Sequence, residues 1–394
     1  MLIMMNEIET TEKYVMKTYN RFPLCFEKGT GAWLWDSKGK KYLDAMAGVA
    51  VVNMGHSHPK ITEAIQGEAG KLIHVSNWYY NEKQGALAKK LAGIAPHGMA
   101  RVFFCNSGAE ANEAAIKLAR KSTGKKGIIA CAGAFHGRTV GSLSLTWKKD
   151  YKEPFEPLMP GVSHVPFGDA DAIRKAISQD TAAVWLEPVQ GEGGVIIPPA
   201  GYLKEVREIC DSKGVLLVAD EVQTGIGRTG KMFASGHEGV APDIMCLAKA
   251  LANGLPIGAV LANEEVSQAF SYGTHGSTFA GGPLVCAAGL ATLDALEKEK
   301  AVSNSQTVGA YLLDNLKSLL AGNPAVKDIR GKGLLIGVEL DESKAKARAI
   351  CEKMISKGVL ATPVSHNAIR LTPPLIIKME EAEMVAETLA FALK

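Results

Sequence analysis

From about residue 60 to about residue 283, short unbroken apolar runs alternate with stretches of helical periodicity along this chain. The runs are RVFFCN, GIIACAG, AAVWLEPV, GVLLVADEV, DIMCLA and PIGAVLA, each of strand length. Strands that are apolar on both faces and separated by helices predict an α/β protein, with a mostly parallel sheet covered by helices on either side. Ahead of this region, GAWLWDSKGKKYLD sets two β-prone runs around a Ser-Lys-Gly turn and predicts a hairpin. Beyond residue 283 the pattern changes to a long helix, PLVCAAGLATLDALEKEK, and then to helices mixed with strands such as GLLIGVEL and AIRLTPPL. That change predicts a smaller α+β domain. No internal repeat or low-complexity linker interrupts the chain. The expected division is an N-terminal segment (1–50) packing with the small domain, a large domain (51–283) and a C-terminal small domain (284–394).

Length agrees with this division, because 394 residues exceed what one compact core usually supports. With 47% hydrophobic and 22% charged residues the chain is of ordinary globular composition, which excludes disorder. A net charge of +3 and the lack of an arginine-rich stripe argue against a nucleic-acid partner. The apolar runs are too short for a membrane-spanning helix, and MLIMMNEIETTEKY carries acids where a signal peptide needs a basic start and a long apolar core. The expected location is the cytoplasm. The seven cysteines (Cys25, Cys105, Cys131, Cys210, Cys246, Cys286, Cys351) are scattered and form no C-x-x-C pair, so reduced structural thiols are expected. His56 and His58 in GHSHP read as a turn before a helix rather than as ligands, and no metal is expected.

The most informative chemistry lies at Asp220, which closes the strand GVLLVADE, and at Lys249, inside the apolar stretch DIMCLAKALANGLPIGAV. A carboxylate at the carboxyl end of a buried strand stands where open α/β sheets bind ligands. A lysine walled by apolar neighbours favours its neutral, nucleophilic form. Together they point to a Schiff-base site, the lysine forming an imine with an aldehyde cofactor and the acid holding a proton on a heteroaromatic nitrogen. The competing reading is that Lys249 is one more solvated charge among the chain's 44 Lys and Arg.

Three further segments each carry two readings. RVFFCNSGAEANEAAIKLARK passes from strand to helix through Asn106, Ser107 and Gly108, giving a phosphate cradle of free amides or, since Ser107 and Glu110 fit S-x-x-E, a plain capping box. In AGAFHGRT, Phe135 can stack on a planar cofactor beside His136 and Arg138 can grip a carboxylate, or the whole is an ordinary loop. THGSTFAGGP (274–283) is a second phosphate contact or a Gly-rich loop. GIGRTGK (225–231) satisfies G-x-G-x-x-G and most of a Walker A loop, which leaves a nucleotide-binding enzyme as the rival from another class. Against it, four residues separate the glycines from the strand, KMFASGHEGVAPD is too Gly-broken for a helix, and Met232 occupies the magnesium-binding Ser/Thr position.

The order of these motifs, from GAWLWDSKGKKYLD and NMGHSHP through FFCNSGAEANEAAIKLAR, GAFHGRT, LEPVQGEGG, ADEVQTGIGRTG, LAKALANGLPIGA and HGSTFAGGP to IRLTPPL, resembles the class III pyridoxal-phosphate aminotransferases, most closely their acetylornithine branch. The resemblance implies a fold-type-I transferase and pyridoxal 5'-phosphate as cofactor. It makes Lys249 the Schiff-base lysine and Asp220 the partner of the pyridine nitrogen, with Glu221 as a further cofactor contact. Val222 would pack on the ring, and Gln223 would neighbour the ring hydroxyl. Ser107, Gly108 and Ala109 are implied as phosphate ligands, Phe135 and His136 as ring neighbours, and Thr278 as a ligand to the phosphate of the other subunit of a homodimer with sites at its interface. For substrate, Arg138 and Arg370 are the implied carboxylate grips, and Glu192 the acid that pairs with the second arginine when a substrate lacks a carboxylate there. Ser277 and Tyr19 are implied substrate neighbours. Val49, where the ornithine enzymes are expected to carry tyrosine, leaves room for an acylated amine. The expected reaction moves the terminal amino group of N2-acetyl-L-ornithine to 2-oxoglutarate. 4-Aminobutyrate, ornithine, acetyl-lysine and succinyl-diaminopimelate are the alternative donors, because a methylene more or less discriminates by only ~1–3 kcal/mol in an apolar pocket.

Overall fold

The computed structural model describes residues 6–394, so the first five residues of the segment read against a signal peptide lie outside the described residues. Strands β1 (Phe26–Thr30), β2 (Trp33–Asp36) and β3 (Lys41–Asp44) form an antiparallel meander, and β2 with β3 is the expected hairpin. Asp36 closes its turn by accepting from the amides of Lys38 and Lys40, both at 2.9 Å.

The central sheet is built from β4 (Met99–Cys105), β5 (Gly127–Cys131), β6 (Val162–Val165), β7 (Thr181–Leu186), β8 (Leu216–Asp220), β9 (Ile244–Leu247) and β10 (Gly258–Asn263). They lie in the order β4-β10-β9-β8-β7-β5-β6, parallel from β9 to β6, with β10 antiparallel to both its neighbours. Every residue of β7 and β9 is buried, because both faces are covered. Ala183, Trp185 and Val218 pack under Ala111, Ala115 and Leu118 of the helix Gly108–Thr123. Their strand neighbours Val184, Leu186 and Leu217 point to the opposite face, against Leu203, Val206 and Ile209 of the helix Tyr202–Lys213. The period of two along each strand thus assigns alternate residues to two separate cores.

The change of pattern at 283 coincides with Pro283, the first residue of a helix that runs to Lys298 and packs on the helices Pro59–Ala69 and Glu82–Ile94. After it come β11 (Val326–Lys332), β12 (Leu335–Leu340), β13 (Val359–Leu360), β14 (Thr362–Val364) and β15 (Ala368–Leu371). Four of these form an antiparallel sheet, β11-β12-β15-β14, while β13 pairs in parallel with β3. One continuous apolar cluster runs from Leu43 and Met54 through Leu247 and Leu251 to Ile336, Ile369 and Leu389.

GIGRTGK lies in a run of turns followed only by the single 3-10 turn Ala234–His237, so no helix N-terminus faces a nucleotide there. Its arginine is instead a buried tie. Arg228 donates to the carbonyls of Leu334 (2.9 Å) and Pro373 (2.6 Å) and to Asn53 Oδ1. His56 and His58 stand just before the helix at Pro59 and pair with Asp44 and Glu299, each at 2.7 Å. No helix among the described residues is long and apolar enough to cross a membrane.

Candidate active site

A cavity of about 410 Å³ opens at the carboxyl ends of the parallel strands. The loop after β4 brings Ser107, Gly108 and Ala109 to its wall, the loop after β5 brings Phe135, His136 and Arg138, and β7 is followed by Glu187. Asp220 at the end of β8 is followed by Val222 and Gln223, and Lys249 follows β9. This is the edge at which an open α/β sheet binds ligands, because helix N-termini and loop amides converge there.

Lys249 has φ +42°, a left-handed conformation that a non-glycine residue holds only when its surroundings impose it. Ala248, Leu255 and Ile257 wall it. Burial holds its amine below the usual lysine range. Glu192 and Asp220 oppose that shift, and Arg370 adds to it.

Asp220 is held rigidly. Its Oδ2 accepts from Asn112 Nδ2 (2.8 Å) and from His136 Nδ1 (2.7 Å), and its Oδ1 accepts from the Val222 amide (3.0 Å). Since the carboxylate accepts, Nδ1 of His136 carries the proton, and Nε2 is a buried nitrogen without a partner among the described residues. Asn112 is fixed in turn by donating to the His136 carbonyl (2.8 Å) and accepting from Trp185 Nε1 (3.0 Å). Beside them, Glu187 accepts from the amides of Phe135 and Gly191, both at 3.0 Å, and so ties the loop that carries Phe135 to the loop that carries Glu192. Burial raises its carboxyl to about 7 against the opposing pull of His136 and the two amides.

At the opposite wall the turn from strand to helix forms a cap. Ser107 Oγ accepts from the Glu110 amide at 3.2 Å, which makes Ser107 the N-cap of Gly108–Thr123. Glu110 reaches past the cap to the Asn106 amide (3.0 Å) rather than to Ser107, so the capping box is not reciprocal. A side chain at 108 is excluded, since a Cβ there would stand 2.7 Å from Val222 Cγ1. A planar ring with a phosphate at one end and a protonated nitrogen at the other fits this set of groups: helix amides, an aromatic, a fixed carboxylate and a low-pKa amine.

The two arginines are dissimilar. Arg370 on β15 is buried and donates to Glu192 and to Gln223 Oε1 (2.9 Å). Arg138 is exposed and has no hydrogen bond or ion pair among the described residues.

Four expected site residues lie elsewhere in the protomer. Glu221, expected as a cofactor contact, is buried outside the cavity wall, accepting from Thr224 and the amides of Ala234 (2.9 Å) and Ser235 (2.8 Å). Ser277 accepts from Asn106 at 3.0 Å, outside the cavity wall, and Thr278 is exposed beside it. Tyr19 is exposed and touches Arg21 rather than the cavity. Val51 lines the cavity, whereas Val49 sits two residues earlier at φ +67°. Sequence reasoning missed Asn112, Trp185 and Glu187. An asparagine amid the apolar face of a helix was the one available signal, as buried polar groups need partners.

Residues 14–393 match the family model of the class-III aminotransferases. The chain is 51% identical over 386 residues, 98% of both chains, to the acetylornithine aminotransferase of Methanothermobacter thermautotrophicus. Among solved structures it resembles the ornithine aminotransferase of Toxoplasma gondii, in which pyridoxal phosphate is partially occupied (TM-score 0.94, 36% identity, 98% of this chain and 93% of that one). It also resembles the acetylornithine aminotransferase of Elizabethkingia anophelis (TM-score 0.87, 36% identity, 98% and 97%).

Proposed function

From the chain's membership of the class III aminotransferases, which makes it a pyridoxal-phosphate-dependent transaminase, we propose that its amino donor is N2-acetyl-L-ornithine and its acceptor 2-oxoglutarate. The products are N-acetylglutamate 5-semialdehyde and glutamate, a step of arginine biosynthesis. The observation that carries this reading is the unequal pair of arginines: Arg138 has no hydrogen-bond or ion-pair partner among the described residues, whereas Arg370 is closed by Glu192. A donor with one carboxylate uses Arg138 alone. A dicarboxylic acceptor displaces Glu192 and engages both, so one site serves both halves of the reaction.

Pyridoxal phosphate supplies the electron sink for negative charge on the amine-bearing carbon. Ser107, Gly108 and Ala109 would hold its phosphate, Phe135 and Val222 would pack on its ring, and Gln223 would neighbour its hydroxyl. Asp220, fixed by Asn112 and His136, would keep a proton on the ring nitrogen. Lys249 would hold the cofactor's aldehyde through Nζ and, once displaced by the substrate amine, would serve as the base that carries the proton from the substrate carbon to the cofactor carbon.

A homodimer completes the site in this reading. Trp78 is 91% exposed, and Ile73, Tyr79, Tyr80 and Phe279 are exposed near it, with Asn77 tying the two segments by donating to the carbonyls of Ser277 (3.2 Å) and Ala280 (2.9 Å). An apolar surface of this kind on a protomer suits a subunit interface, and Thr278 within it is the residue proposed to reach the partner's phosphate. All seven cysteines are free, which supports a cytoplasmic location. As the test, Lys249→Ala abolishes the visible, borohydride-sensitive absorbance and almost all turnover. A panel of N-acetylornithine, ornithine, acetyl-lysine and 4-aminobutyrate gives the highest kcat/KM for the first. Preference for free ornithine would overturn the substrate assignment, and retained turnover in Lys249→Ala the site itself.

A further inference from the structure

Arg138 lies over aromatic rings. Its guanidinium carbon lies 3.5 Å from the centre of the Tyr151 ring and 5.6 Å from that of Phe135. The two rings meet edge-on, 6.4 Å apart at 87°. With no acid or carbonyl along its edge among the described residues, the in-plane N–H groups of Arg138 are free. Stacking is the one way to fix a guanidinium while leaving its whole donor edge available, because an aromatic face attracts the cation without accepting its hydrogens. Arg370 is the contrast, its edge occupied by Glu192 and Gln223.

Tyr151 is well placed for this. It belongs to the short helix Lys149–Lys152, which is anchored to the Phe135 loop by the Trp147 amide donating to the Ala134 carbonyl at 2.9 Å. The half-buried ring forms part of the wall of a second cavity that also touches Phe135 and Glu192. Its hydroxyl donates to no group among the described residues, so the contact with Arg138 is made by the ring.

We propose that Tyr151 is a positioning residue that presents Arg138 edge-on to the substrate carboxylate in both half-reactions. This rests on the reading of Arg138 as a carboxylate grip. An exposed arginine without such a platform samples many rotamers, and each binding event must then order it. The platform removes that cost before substrate arrives, so its loss raises KM and leaves the proton transfers at Lys249 untouched.

The test uses the holoenzyme in a double-mutant cycle of Tyr151→Leu and Arg138→Ala, with Tyr151→Phe as the conservative variant and Tyr151→Met as a second truncation of the ring should Leu disturb folding. Tyr151→Leu raises KM for N-acetylornithine and for 2-oxoglutarate about fivefold, the weight of an exposed cation–π contact, with kcat within about twofold and the visible absorbance unchanged. Tyr151→Phe stays near wild type. In the Arg138→Ala background Tyr151→Leu raises KM no further, since no guanidinium remains to be positioned. Equal KM effects in both backgrounds, or a Tyr151→Phe enzyme as impaired as Tyr151→Leu, overturn the role of the ring. If Arg138→Ala raises KM and neither Tyr151→Leu nor Tyr151→Met does, the inference alone falls. If Arg138→Ala leaves KM unchanged, the carboxylate-grip reading falls with it.

Discussion

Glu187 shows how a single buried acid links this site to pH. It carries no counter-cation of its own; two amides and the neighbouring His136 oppose its burial without cancelling it, and the carboxyl is pushed from 4.5 to about 7. In the unfolded chain the proton leaves near 4.5, whereas the native protein keeps it to about 7. Between those values the folded state binds more protons than the unfolded one, so stability falls as pH rises through the window. The full effect is on the order of 3 kcal/mol. Glu187→Gln, which cannot ionise, is expected to flatten the pH 4.5–7 slope of the thermal midpoint in the cofactor-free protein. An unchanged slope would place the titration on another group. Lys249 is the complementary case, a base rather than an acid driven towards neutrality by burial. Both shifts have one origin, the low polarity of the cavity wall.

At the scale of elements, the junction of β4 with the helix Gly108–Thr123 combines a structural and a binding task in Ser107. As an N-cap its hydroxyl contributes about 1 kcal/mol, and in the proposed reading the same hydroxyl donates to the phosphate. Ser107→Ala is therefore expected to lower the stability of the cofactor-free protein by that amount and to weaken pyridoxal phosphate binding by about tenfold, a single charge-assisted hydrogen bond. Cofactor titration followed by the visible absorbance, alongside thermal unfolding, separates the two. A loss of stability with unchanged cofactor affinity would leave Ser107 a cap only. The strands on either side were legible in the sequence because parallel strands buried on both faces read as unbroken apolar runs. β6 was not, since VSHV is an edge strand with two polar residues in four. The end of β8 was legible because an acid after LLVA has no structural reason to be there. Its supports were not, for Asn112 and Trp185 reach Asp220 through tertiary contacts that no local spacing encodes. Glu221 faces away from the cavity for a related reason, since successive residues at a strand end point opposite ways.

In the whole molecule, distant segments are tied through Arg228, whose buried guanidinium joins the turn after Asp220 to Asn53, Leu334 and Pro373. Pro373 lies three residues beyond Arg370, so one buried tie connects the turn after Asp220 to the strand that carries Arg370. Burial lowers the Arg228 guanidinium to about 9, which still leaves it charged and hydrogen-bonded at neutral pH. The protomer built in this way leaves Thr278 exposed, beside the uncovered side chains of Phe279 and Trp78. If two copies cover that surface, each lends Thr278 to the other's site, and a defect in the lender is separable from a defect in the owner of the lysine. Thr278→Ala homodimers are expected to lose turnover at limiting pyridoxal phosphate, and Lys249→Ala homodimers to be inactive. Refolded together in equal amounts they form mixed dimers in which one site has both Lys249 and an intact Thr278 from its neighbour. For random pairing into twofold dimers, about a quarter of all sites recover. Activity of the mixture at limiting cofactor should therefore exceed the mean of the two separate preparations. A mixture that only averages them would mean that Thr278 serves its own subunit, as would a wild-type protein that sediments as a monomer while fully active.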